Sequence, residues 1–172
     1  MKLSIKDITL IAMTVALIEV CKVTLSFLPN IELTTFWLIM FTKYLVKKIV
    51  FVVPVFIIIE GAIYGMNLWW IMYLVAWPLL VIICYMFRKC KSIWFWSMFS
   101  GCFGLLFGAI CTIPYIFVTA FSGGLLTGIQ LGIAWWIAGI PWDIAHCVSN
   151  FVFMLVLYEP ITRVINKLKN IN

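Results

Sequence analysis

Residues 68–87 read LWWIMYLVAWPLLVIICYMF, and Arg88, Lys89 and Lys91 follow at once. No position in that run is charged. A bilayer-crossing helix needs about 20 mainly apolar residues. The run meets that length, and the basic cluster marks its cytoplasmic end, because Lys and Arg collect on that side of a membrane.

The flanking sequence repeats the pattern. Residues 49–65 form a third apolar segment before this fourth one, and 31–46 a short second segment that ends among Lys43, Lys47 and Lys48. Pro29 and Asn30 make the preceding turn, since Pro cannot continue a helix and Asn favours turns. The first segment, 8–28, follows Lys2 and Lys6 in the manner of a signal peptide. No small-residue cleavage site follows it, and Glu19 and Lys22 interrupt it, so it reads as a retained helix. Beyond the fourth segment, 93–120 is a long fifth, broken by Ser122, Gly123 and Gly124, and 141–158 is the last.

Composition agrees with this division. Hydrophobic residues make up 66% of the chain and charged ones 10%, where a soluble domain is about half apolar and a quarter charged. A mean hydropathy of +1.18 excludes an ordinary soluble enzyme, a disordered regulator and a nucleic-acid reader. At about 28 residues per span plus loop, 172 residues allow about six spans and no soluble domain. The expected fold is an all-α, six-transmembrane-helix bundle occupying 1–172 as one membrane domain, with both termini cytoplasmic.

The stretch 125–140 is apolar enough for a seventh span, and charge decides against it. With six spans, eleven of the twelve basic residues fall on the inner side, leaving Lys22 within a helix. A seventh span would place Arg163, Lys167 and Lys169 outside, against the positive-inside tendency. Residues 121–140 are therefore expected to form an outer loop, partly helical, folded onto the bundle. In 160–172, Ile161, Val164, Ile165, Leu168 and Ile171 recur at helical spacing and predict an amphipathic helix along the cytoplasmic surface. Ten Lys against two Arg suggest an AT-rich bacterial genome, and with six expected spans the expected location is a bacterial cell membrane, as a multi-pass protein.

Six cysteines show no CxxC spacing, and no cofactor or metal is expected. Small residues mark packing faces, on which helix association in lipid depends. Gly61 with Gly65, and Gly101 with Gly104 and Gly108, suit the interior of the bundle. Ala12 and Ala16 lie in the cytoplasmic half of the first helix, where a partner could dock.

Charge at the bilayer centre costs ~2.5–3.5 kcal/mol on insertion scales, so buried ionisable residues are functional suspects. They gather in the outer half. Glu19 and Lys22 are three apart and could pair; Glu60, with Tyr64 one turn on, has no local basic partner; Glu32 opens the second segment. Asp143, His146 and Asn150 share one helical face. Trp69, Tyr73 and Trp77 form an aromatic row, and Trp136 and Trp142 add outer rings. Aromatic walls with a few polar groups describe a small-molecule site; a belt at the membrane interface and structural ion pairing are the plainer alternatives. The candidate ligand-binding residues are thus Glu19, Lys22, Asn30, Glu60, Tyr64, Trp69, Tyr73, Trp77, Trp136, Trp142, Asp143, His146 and Asn150.

In size, six expected spans and Ala12-Met13-Thr14-Val15-Ala16, the whole chain resembles the substrate-binding S components of energy-coupling factor (ECF) vitamin transporters. LPNIEL after the first helix and GIPWDIAHCVSN entering the last are similar to some members. The resemblance implies an outward-facing pocket and docking of the AxxxA face on a membrane-embedded coupling protein, which works with two ATPase subunits. The chain has no GxxxxGK[ST] of its own. An excess of outer acids favours a neutral or amine-bearing heteroaromatic micronutrient, thiamine-like or deazapurine-like. Folate fits less well, and cobalamin stays open. The rival readings are a self-sufficient secondary carrier or channel, and an intramembrane enzyme using Asp143 and His146. The second lacks a nucleophile or an HExxH motif.

Overall fold

The computed structural model describes residues 3–171, with side chains through Leu168. Of the inner basic set, Lys2 and the side chain of Lys169 lie outside the described residues, as does Asn172 of the expected tail. The described chain is all helical: α1 (Ile5–Thr24), α2 (Thr34–Leu45), α3 (Ile49–Tyr64), α4 (Leu68–Phe87) and a run Ile93–Ile171. Gly124, at φ 81° and ψ 164°, divides that run into α5 (93–123) and α6 (125–171). Two of these runs are long and apolar enough to cross a membrane, Leu68–Phe87 and Ile93–Leu168. Prolines 54, 78, 114, 141 and 160 all lie within helices. In a soluble helix interior each would cost ~3 kcal/mol, whereas membrane helices tolerate them because neighbouring groups re-satisfy the freed carbonyls.

Local chemistry sets the helix ends. Ser4 and Asp7 form a capping box: the Asp7 amide donates to Ser4 Oγ (3.2 Å) and the Ser4 amide to Asp7 Oδ2 (3.0 Å). Asn67 Oδ1 accepts from the Trp69 amide at 3.0 Å and starts α4. Gly65, at φ 89°, ends α3 and permits the short reversal into α4.

Helix α2 is the centre of the bundle. Its 12 residues span about 18 Å, well short of the ~30 Å hydrocarbon core. Phe36, Leu38, Ile39, Met40 and Thr42 are all buried, and α2 touches every other helix. A segment surrounded by protein on all sides has no need to match the bilayer thickness.

Helices α5 and α6 form an antiparallel hairpin. Gly101 faces Cys147 and Phe151, Gly104 faces the His146 backbone, and Gly108 faces Asp143; nearer the bend, Gly132 and Gly128 face Ile116. A Cβ on Gly104 would stand 2.8 Å from the His146 carbonyl group, so the close approach requires glycine. The expected outer loop at 121–140 is corrected here, since 125–140 is helix continuous with the last segment. The charge argument excluded an extra crossing and not an early start to the sixth helix. Nor does Pro160 end that helix. It runs on into the expected tail, where Ile161 and Ile165 pack on the core while Val164 and Leu168 stay exposed.

Candidate functional site

The ends of the bundle differ in charge. At one end Lys48 pairs with Asp7 (2.5 Å) and Lys43 donates to the Cys90 carbonyl (2.5 Å). The opposite end carries the reversals 25–33 and 65–67. There a cavity of about 360 Å³ opens between the end of α1, the 25–33 segment, the α3–α4 turn and the hairpin.

One ion pair crosses the cavity wall between helices. Lys22 on α1 forms an ion pair with Glu60 on α3 and donates to the Tyr73 hydroxyl on α4 at 3.1 Å. Its ammonium lies 4.8 Å from the Tyr73 ring centre and 5.3 Å from that of Tyr64, a cation held against two π-faces. On the other side His146 Nε2 stands 3.6 Å from Glu32 Oε1, while Thr34 Oγ1 donates to Glu32 Oε2 (3.2 Å) and steadies it. Aromatic rings complete the wall. Trp70 fits against Gly61 and donates from Nε1 to the Ile57 carbonyl (2.8 Å), and Phe107 meets the His146 imidazole edge-on at 5.1 Å.

Two buried polar atoms on this wall, Glu60 Oε1 and His146 Nε2, have no hydrogen-bond partner among the described residues. A buried polar group left unpaired costs ~1–3 kcal/mol.

Seven of the sequence-selected residues meet at the cavity: Lys22, Asn30, Glu60, Tyr64, Trp69, Tyr73 and His146. The other six do not line it. Glu19 is buried close enough to Glu60 for their charges to interact. Lys22 is paired with Glu60, 38 positions away, which corrects the expected Glu19–Lys22 pairing. Trp77 is fully buried under Tyr73, their ring centres 5.4 Å apart. Asp143 Oδ1 accepts from the Gly108 amide (3.0 Å) and ties the hairpin arms, and Asn150 donates to Thr35 Oγ1 (3.2 Å) and ties α6 to α2. Trp136 and Trp142 are exposed on α6. The 143, 146, 150 row does share a face, but that face is turned to α5 and α2, and only His146 reaches the cavity.

No family model, curated protein or solved structure matches the chain. Glu32, Asn67, Trp70 and Phe107 also line the cavity and were not selected from sequence. Glu32 carried a usable signal, an acid in an apolar context; Phe107 carried none. Ala12 and Ala16 lie on the exposed side of α1, beside exposed Met13 and Val20. Among the described residues no three His, Cys, Asp or Glu side chains gather as a metal site.

Proposed function

We propose that this protein is the substrate-binding S component of an ECF-type importer. It spans a bacterial cell membrane six times, with both termini cytoplasmic and the cavity facing out. Its ligand is a neutral or amine-bearing heteroaromatic micronutrient. The observation that carries the reading is the cavity: aromatic walls, the Lys22–Glu60 ion pair, and a position at the end away from the basic clusters. A volume of about 360 Å³ lies at the small end of ligand sites. It suits a one- or two-ring heterocycle better than a corrin macrocycle. Glu60 Oε1 accepts a donor from the ligand, and Trp69 or Tyr73 stacks on its ring. Ala12 and Ala16 permit close approach of the coupling protein, and the two ATPase subunits supply the energy.

The test begins with mass spectrometry of small molecules that co-purify with the protein, followed by calorimetric titration. Trp69→Ala removes a ring at the rim and is expected to cost ~0.5–1.5 kcal/mol, roughly a two- to tenfold loss of affinity. Asp143→Asn lies away from the cavity and is expected to bind as the parent does. The converse result would move the site to the hairpin. Ligand uptake into liposomes by the isolated chain without ATP would replace the S-component reading with that of a self-sufficient carrier.

A further inference from the structure

The basic end of the bundle holds a second cavity, of about 630 Å³, between the end of α2, the 88–92 turn and the inner part of α6. Lys43, Arg88, Lys89 and Lys91 line it. The single lining acid, Glu159, is paired with Arg163 at 3.1 Å. Among the described residues none of the four cations has a carboxylate within 4.0 Å.

Lys43 is the fixed member. Its ammonium sits 4.2 Å from the Trp96 ring centre and 5.3 Å from that of Tyr158 and donates to the Cys90 carbonyl. It also stands in the last turn of α2, where the helix dipole favours a cation. Arg88 lies across the Tyr85 ring at 3.8 Å. Rings and carbonyls thus hold the positive charge in place without neutralising it. Thr162 and Asn166 add uncharged polar groups to the same wall.

We propose that this cavity binds the phosphate of an anionic phospholipid headgroup. Basic pockets between membrane helices on the cytoplasmic side take such headgroups. The surroundings favour a lipid over a free phosphate ion. Met86, Phe87 and Trp94, on the helices leading away from the cavity mouth, are exposed apolar side chains against which acyl chains can lie. Each cation near the headgroup is worth about a fivefold change in affinity.

Native mass spectrometry of the full chain, purified in neutral detergent and offered phosphatidylglycerol or phosphatidylcholine, tests the proposal. The parent is expected to retain phosphatidylglycerol selectively. The triple variant Arg88→Gln, Lys89→Gln, Lys91→Gln changes only the turn and is expected to lose about a hundredfold in affinity. Lys6→Gln, Lys47→Gln, Lys167→Gln makes the same change in net charge away from the cavity and is expected to retain the lipid. Equal loss in both triple variants would reduce the effect to general surface charge and overturn the site. Equal retention of both lipids by the parent would do the same. Displacement of bound phosphatidylglycerol by millimolar inorganic phosphate would assign the cavity to the free ion instead.

Discussion

The Lys22–Glu60 pair can be broken from either side, and the two breaks are not equivalent. The Lys22 side chain is 17% exposed and that of Glu60 4%, so the pair is largely out of water. Removing one partner of a buried pair typically costs ~3–5 kcal/mol, because the other charge is left uncompensated. Lys22→Met leaves Glu60 facing Glu19 with no cation between them, and the full cost is expected. Glu60→Gln leaves Lys22 one turn from Glu19, which can inherit it, so a cost of ~1–3 kcal/mol is expected, closer to that of a lost charged hydrogen bond. The double variant Lys22→Met, Glu60→Gln removes both charges and is expected to recover most of the Lys22→Met loss. At ~2–4 °C per kcal/mol for a chain of this size, Lys22→Met lowers the thermal midpoint by about 6–20 °C. Thermal unfolding of the four proteins in one detergent measures the cycle. A Lys22→Met variant as stable as the parent, or a double variant no better than Lys22→Met, would refute the claim that the cost comes from the uncompensated charge left behind.

Ser122→Cys, in a background without the six native cysteines, is expected to react with an impermeant thiol reagent on intact cells; labelling only after lysis would invert the topology. On the proposed reading, Ala12→Trp is expected to weaken co-purification with a coupling protein by ~1–3 kcal/mol, roughly fivefold to a hundredfold, with ligand affinity unchanged. Asp7 is held well below the ordinary carboxylate range by Lys48 and by the Ser4 cap. A depressed folded-state pKa adds stability that is complete above the unfolded value near 3.9 and is lost as pH falls through the depressed one. Asp7→Asn is therefore expected to lower the thermal midpoint at pH 7 and to converge with the parent in strong acid.

Much of the helix pattern could be read from single features. The Ser122-Gly123-Gly124 break is visible because only glycine takes the conformation of residue 124 freely. The basic clusters marked one end of the bundle without any contact information. The early start of α6 was hidden, because the count of basic residues weighed a seventh crossing against a loop and not a longer sixth helix. Gly128 and Gly132 within that stretch form the contact face toward Ile116. At the site, the cost of burying charge singled out Lys22, Glu60 and His146. Their partners were beyond reach: Glu60 lies 38 positions from Lys22, and periodicity on one helix says nothing about which neighbour it faces.

The shortness of α2 has a consequence for biogenesis. Twelve residues with a lysine near the end make a poor independent insertion signal, and the surfaces that cover Phe36, Leu38 and Met40 belong in part to helices synthesised later. Until α4 and the hairpin emerge from the ribosome, α2 has no complete enclosure. A nascent chain stopped after Tyr64 would hold a segment too short for the bilayer and too apolar for water.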